Sequence, residues 1–258
     1  MEMIVVTGAH GFIGSHVVKT LQTRGRQVVS IDIDNRNTLF ELTDVEAVIH
    51  QGACADTTET DVSRMMELNY DYSKRVLEYC QNIPLIYASS AAVYGNTPGQ
   101  EHPLNLYGWS KLMFDDLVRA TKLPHVVGLR YFNVYGPGEH CKGRMASMIH
   151  QLCEQYKTTG KVRLFESGEQ QRDFIHVEDV VNVIMSFLAN PIGGIYDVGT
   201  GVAISFNELA RIITQDSSNA IEYFPMPEHI KGKYQTYTQA DLTQLRRVGY
   251  AKDILGVG

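Results

Sequence analysis

The stretch Thr7-Gly8-Ala9-His10-Gly11-Phe12-Ile13-Gly14 decides how the rest of the chain is read. It follows the apolar run Met3–Thr7 and precedes an amphipathic pattern reaching Arg24, so the glycines join a strand to a helix. Gly8 permits the tight turn, Gly11 lets the backbone approach a pyrophosphate, and Gly14 allows helix and sheet to pack closely. Phe12 and Ile13 lead into a helix expected around Gly14–Arg24, whose free N–H groups and dipole favour phosphate. A plain strand–helix connection would also tolerate these glycines. Their place in the first strand–helix unit favours dinucleotide binding.

Working outward, apolar runs at 27–32, 47–50, 85–88 and 126–131 alternate with helical patterns near 65–80 and 108–122. That order predicts an α/β fold, a Rossmann-like doubly wound parallel sheet. The second half is less regular, with helices expected near 144–157, 178–189 and 205–214 and strands near 162–165 and 194–198. We expect a dinucleotide-binding domain from 1–136 plus about 174–200, and a smaller α/β substrate-binding lobe from about 137–173 plus 201–258. Only about a dozen residues separate the second strand from Ala47, too few for a helix, a strand and their turns. The sheet should therefore be one strand short.

Asp32 ends the second strand about 20 residues beyond the glycine turn, where an acid bonds a ribose hydroxyl. Asn35 and Arg36 follow. Arg36 can pair bidentately with the 2′-phosphate of NADP, or lie solvated in a loop, so NADP is favoured and NAD stays open.

Tyr107-Gly108-Trp109-Ser110-Lys111 places a phenol and an ammonium on one helical face at i and i+4. A tyrosine of ordinary pKa near 10 is a poor base, but a neighbouring cation favours tyrosinate, which can take a proton from an alcohol as hydride leaves the carbon. Tyr70 and Lys74 share that spacing, so context must choose. Upstream of Tyr107 a strand ends in Tyr87-Ala88-Ser89-Ser90, placing Ser90 at the carboxyl edge of the sheet, where it could steady an alkoxide. Tyr70 has no such partner and reads as structural. No G-x-S-x-G elbow or H-E-x-x-H appears, the histidines do not cluster, and His50 reads as a structural or cofactor-side residue.

Composition narrows the classes. The chain has 258 residues, 44% hydrophobic and 20% charged, with a net charge of −6. These values exclude disorder and offer no basic surface for nucleic acid or membrane. No apolar run reaches the roughly 18–20 residues of a membrane span, and no export signal opens the chain, so a cytoplasmic protein is expected. Cys54, Cys80, Cys141 and Cys153 show no C-x-x-C spacing, so neither a disulfide framework nor a metal site is indicated.

Taken together, TGAHGFIG (7–14), VIHQGA (48–53), YASSAAVYG (87–95), YGWSK (107–111), LRYFNVYGP (129–137) and RDFIHVEDV (172–180) resemble the extended short-chain dehydrogenase/reductase family, which acts on nucleotide sugars. They run in family order across most of the chain. Within it, HQGACADTTETD (50–61), MMELNYDYSK (65–74), KGRMAS (142–147) and IKGKYQTYTQADL (230–242) resemble the branch of 6-epimerases acting on ADP-heptose for the lipopolysaccharide core.

The resemblance implies Tyr107, Lys111 and Ser90 as catalytic residues, and Lys142 as a second acid/base on the other face of the sugar. It implies Gly8, Gly11, Gly14, Asp32, Gln51, Gly52, Ala53, Asn69 and Lys111 at the cofactor. Ser90, Asn133, His150, Arg172 and Tyr234 fall at the substrate, Arg172 being suited to a diphosphate. Oxidation and reduction at C6, with the keto intermediate turning between them, would invert that carbon without net redox change. Homo-oligomers are expected, a pentamer in this branch.

Departures are visible too. Ile33–Glu46 is short, Leu68 stands where a polar cofactor contact is usual, Arg144 replaces a small polar residue, and the usual final helix is missing before Gly258. Ala91, Ala92 and Val93 cannot move protons, which argues against a 4,6-dehydratase. A 4-epimerase, a ketoreductase and a non-catalytic NADP-binding protein remain the rival readings.

Overall fold

The computed structural model describes residues 2–97, 99–232 and 234–250. The first half runs β1 (Met3–Thr7), α1 (Phe12–Thr23), β2 (Val28–Ile31), β3 (Val45–His50), α2 (Val62–Met66), α3 (Tyr72–Tyr79), β4 (Leu85–Ser90), α4 (Leu106–Thr121) and β5 (Val126–Tyr131). Then come β6 (Asn133–Tyr135), α5 (Met148–Thr159), β7 (Val162–Phe165), β8 (Gln171–His176), α6 (Val177–Ala189), β9 (Gly194–Val198), β10 (Ala203–Ser205), α7 (Phe206–Thr214), β11 (Ile221–Phe224), α8 (Glu228–Lys231) and α9 (Thr243–Arg247).

Six parallel strands form the main sheet in the order β2-β1-β3-β4-β5-β9. Successive strand residues point to opposite faces. Ile4 and Val6 therefore enter one core with α1 and α6, while Val5 enters another with α3 and α4. Burial on both faces is why these strands read as unbroken apolar runs.

The short connection after β2 is a 3₁₀ helix, Ile33–Glu41, capped by Asp32 and pinned by the fully buried Leu39. It carries the chain past β1 directly into β3. A doubly wound sheet of order 3-2-1-4-5-6 has another strand outside its second one. Here β2 is the edge, so the sheet is one strand short as its spacing implies.

The helix expected near 65–80 forms as α2 and α3 joined by a π-helical turn, Glu67–Asp71. Such turns recur at functional sites, and this one holds Asn69 in the interior. The helix expected from 144 starts later, at Met148, because Ser147 caps it through His150 N–H. Residues 139–145 instead form a 3₁₀ segment.

Strands β6, β8, β10 and β11 were not anticipated. The first three make a small mixed sheet, and β11 pairs with β7. A third core of Leu152, Leu164, Phe174, Phe206 and Leu209 lies beneath them. The segment 236–240 runs beside β8, with Gln171 and Asp173 N–H groups donating to the carbonyls of Thr236 and Thr238. The expected loss of a final helix concerns 251–258, outside the described residues.

Candidate active site

The glycine turn has the tight geometry its spacing demands. Gly8 adopts φ +65°, and a Cβ there would lie 2.6 Å from Gly52 N, so β1 and β3 meet backbone to backbone. A Cβ on Gly14 would lie 2.0 Å from Gly8 O. No side chain caps α1, leaving its first N–H groups, at Phe12, Ile13 and Gly14, facing outward from the turn. That cradle, with no Cβ at Gly8, Gly11 or Gly14, fits a pyrophosphate.

A cavity of about 170 Å³ opens from it, lined among others by Gly8, Gly11, Asp32, Arg36, Gln51, Gly52, Ala53 and Leu68. The Asp32 carboxylate accepts from His10 N–H at 2.9 Å and from Ile33 N–H at 2.8 Å, which fixes its place at the strand edge. Arg36 pairs with Glu67 and lies 5.8 Å from the Tyr72 ring. Asn69 is spent on positioning. Its amide bridges Cys54 N–H (2.7 Å), Cys54 carbonyl (3.0 Å) and Ser110 Oγ (3.0 Å), tying the loop after β3 to α4.

His50 is buried between Thr7 Oγ1 (2.6 Å) and Ser73 Oγ (2.9 Å). Burial, and then the Lys111 charge, push its pKa down to about 3, so it is neutral and structural.

At the carboxyl end of β4, Ser90 Oγ accepts from Ala92 N–H. Burial pushes the Tyr107 phenol up, and the nearby Ser90 hydroxyl opposes the rise. Asn105 caps α4 through Gly108 N–H at 2.9 Å, setting Tyr107 in its first turn. Lys111 Nζ donates to Ala88 O at 2.8 Å and lies 5.9 Å from the Tyr107 ring centroid. Burial pushes Lys111 down to about 8. Tyr70 packs on the core and Lys74 pairs with Glu78 at 4.0 Å, as a structural pair should.

Lys142 Nζ donates to Val134 O (3.1 Å) and to the buried Glu139 (2.9 Å), and lies 5.0 Å from the Phe12 ring centroid. Arg144 reaches away to Asp56, an ion pair across two loops. Asn133 donates to Asp173 O and Thr238 Oγ1, both at 3.1 Å. His150 is half-buried on the first turn of α5.

Arg172 is 8% exposed and lies 5.4 Å from the ring centroids of both Phe206 and Tyr234. Its guanidinium donates to backbone carbonyls of Gln171 and Gln235. No carboxylate pairs with it among the described residues. A buried cation without a counter-charge is costly, and an anionic ligand removes that cost.

Several residues the sequence did not single out complete the arrangement. Gln235 Nε2 donates to Ala91 O and Gly95 O, and Asn96 Oδ1 accepts from Thr236 N–H. Asp173 accepts from Thr200, Gly201 and Ala240 N–H groups. The segment 234–241 thereby ties β8 to the loop that follows Ser90.

Residues 4–199 match the model of the NAD dependent epimerase/dehydratase family. The chain belongs to that family. The family uses a nicotinamide dinucleotide, the group that the glycine turn fits, and this chain is an epimerase-type enzyme with its Rossmann-like fold. An ADP-L-glycero-D-manno-heptose-6-epimerase from Alkalilimnicola ehrlichii is 46% identical over 292 residues, covering 96% of this chain and 91% of that protein. The alignment is longer than this chain, so the relative carries segments with no counterpart here. The crystal structure of the Helicobacter pylori ADP-L-glycero-D-manno-heptose-6-epimerase superposes with a TM-score of 0.84 at 32% identity, covering 94% of this chain and 88% of that one. A UDP-glucose 4-epimerase from Thermus thermophilus, in complex with NAD, gives 0.82 at 25%, covering 96% and 93%. No helix among the described residues is long and apolar enough to cross a membrane.

Proposed function

We propose that this chain inverts C6 of ADP-D-glycero-D-manno-heptose, giving ADP-L-glycero-D-manno-heptose. The observation that carries the chemistry is the Ser90–Tyr107–Lys111 group at the sheet edge beside the glycine turn. The substrate rests on 46% identity to a relative of that name.

A nicotinamide held by the glycine turn would supply reversible hydride transfer at the alcohol carbon. The chain's own groups do the rest. Ser90 hydrogen-bonds the reacting oxygen, and Tyr107 exchanges its proton. The Lys111 ammonium, 5.9 Å from the Tyr107 ring centroid, favours the ionised phenol as the proton leaves. Lys142 is the acid/base we assign to the other sugar face, so that proton removal on one side and delivery on the other give inversion. Asn133, His150 and Tyr234 line the sugar side, and the unpaired Arg172 takes the diphosphate. This division uses both lobes: the cofactor on 1–136 with 174–200, the sugar on 137–173 with 201–258.

The cofactor we propose is NADP, with Arg36 leaving Glu67 to meet the 2′-phosphate; comparative binding of NADP and NAD decides it. Trp109 and Met113, exposed one turn apart on α4, support a homo-oligomer, with a pentamer as the proposed state. Sedimentation measures it. A nucleotide-sugar substrate and the lack of a membrane-crossing helix among the described residues suit a cytoplasmic enzyme.

The test is incubation of purified protein with ADP-D-glycero-D-manno-heptose, without added cofactor, following the C6 epimer by chromatography. Conversion lost in Tyr107→Phe is expected. Absence of conversion with NADP supplied refutes the substrate assignment.

A further inference from the structure

Lys111 has a buried acid one helical turn beyond it. Asp115 is 0% exposed, and its carboxylate accepts from Tyr87 Oη at 2.8 Å, Ser89 Oγ at 3.0 Å and Arg130 Nε at 2.9 Å. Tyr87 and Ser89 flank Ala88, whose carbonyl receives Lys111 Nζ. Helix α4 is therefore fastened to the end of β4 at two levels, by ammonium on carbonyl and by carboxylate on two hydroxyls. Ser90, the residue that meets Tyr107, comes next in β4.

A fold does not need a carboxylate at this position. Buried ion pairs are often no more stable than apolar groups of the same shape, and a neutral amide could accept the same hydroxyl bonds. What an acid adds is negative charge on the Lys111 side of the helix.

We infer that Asp115 is a positioning residue for the reaction: fixed by Tyr87, Ser89 and Arg130, its carboxylate holds Lys111 as an ammonium against Ala88, beside Tyr107. The inference rests on the reading of Tyr107 and Lys111 as the acid/base pair. Lys111 needs such support, because burial works against its charge and Asp115 is the strongest influence opposing that. The other groups facing Lys111 do not supply it. His50 on β3 is neutral, Tyr107 is pushed toward its protonated form, and Cys54 adds a lesser opposing influence. Arg130 does not cancel Asp115, since its guanidinium is shared with Glu101 and with the Tyr94 hydroxyl. Arg119 is divided between Glu101 and Asp116, so three carboxylates share two guanidiniums.

The experiment compares wild type, Asp115→Asn and Asp115→Glu by two readouts. The first is the titration of the Lys111 amine by NMR in protein labelled at the lysine ε position, with Lys111→Arg assigning the signal. It needs no substrate. The amine is expected to titrate near 8 in wild type, roughly one unit lower in Asp115→Asn and near wild type in Asp115→Glu. The second is the pH–rate profile of the loaded enzyme. The ammonium is the active form, so activity falls as pH rises through the Lys111 value. Losing the carboxylate moves that alkaline limb to lower pH, with roughly fivefold loss at pH 8 and recovery toward pH 6. Asp115→Asn leaves Arg130 short of a counter-charge and could misfold. The double variant Asp115→Asn with Arg130→Met removes that hazard, and the same shift is expected because Arg130 is not among the influences on Lys111. A Lys111 titration unmoved in these variants, or an equal activity loss at every pH, overturns the inference. Wild-type protein that turns over no ADP-heptose refutes the proposed function instead, and the NMR titration still decides the role of Asp115.

Discussion

Gly14→Ala tests the phosphate cradle most directly. A Cβ at Gly14 would lie 2.0 Å from Gly8 O, 2.8 Å from Gly8 C and 3.1 Å from Ala9 Cα, all backbone atoms of the turn. The first contact is about 1 Å inside the closest approach real Cβ atoms make, so α1 or the turn must move. Overpacking of this kind costs about 1–3 kcal/mol, and so severe an overlap belongs at the upper end. Alanine recovers up to about 1 kcal/mol of helix propensity. The net loss is about 2 kcal/mol, a fall in Tm of roughly 4–8 °C for a chain of this size. Gly11→Ala supplies the contrast. Its Cβ meets only Gly8 O at 3.2 Å, and its φ of −71° suits any residue. Its Tm should stay within about 2 °C of wild type. Yet its methyl occupies the path by which backbone approaches the pyrophosphate, so both variants should bind NADP at least tenfold more weakly. Thermal denaturation followed by circular dichroism gives the first quantity, and calorimetric titration with NADP gives the second. Gly14→Ala with unchanged Tm, or Gly11→Ala with unchanged affinity, would show that the turn is not the cradle its geometry describes.

Arg172→Met should raise KM for the nucleotide sugar by about ten- to a hundredfold, the worth of a charge-assisted hydrogen bond at 1.5–3 kcal/mol. Its kcat should change less, and a kcat loss with KM unmoved would take the diphosphate away from Arg172. The pH dependence of stability should carry the mark of His50, whose pKa falls from 6.5 to about 3 on folding. Between those values the unfolded chain binds the proton and the native one does not, so stability is full above pH 6.5 and falls as pH drops. At pH 5 the loss is ~2 kcal/mol. His50→Gln should remove that part of the slope in urea titrations at pH 7 and pH 5, and equal slopes would place His50 elsewhere than its buried position between Thr7 and Ser73.

The contrast between the two ends of the site follows from how far its contacts reach along the chain. The main sheet was legible because each parallel strand is buried on both faces and reads as its own apolar run, and its missing strand showed in the short Ile33–Glu41 connection. Tyr107 and Lys111 were legible for a similar reason: one helical turn sets their relation, whatever surrounds it. Strand β8 was not, since Arg172 and Asp173 look like solvent-facing residues until Gln235, Thr200, Gly201 and Ala240 arrive from distant sequence to receive them. Asp115 escaped notice although it repeats the i+4 spacing beyond Lys111. Beside Asp116 and Arg119 it has the pattern of a solvated helix face, and only Tyr87, Ser89 and Arg130 from β4 and β5 make it an interior acid. Arg144, which stood out as a departure on the substrate side, instead finds Asp56 across the loops. Local spacing thus writes the cofactor turn and the proton-transfer pair, whereas the diphosphate site depends on 234–241 reaching both β8 and the loop after Ser90. A change in that segment should therefore alter sugar binding while leaving the glycine turn intact, because the turn shares no hydrogen bond with it among the described residues.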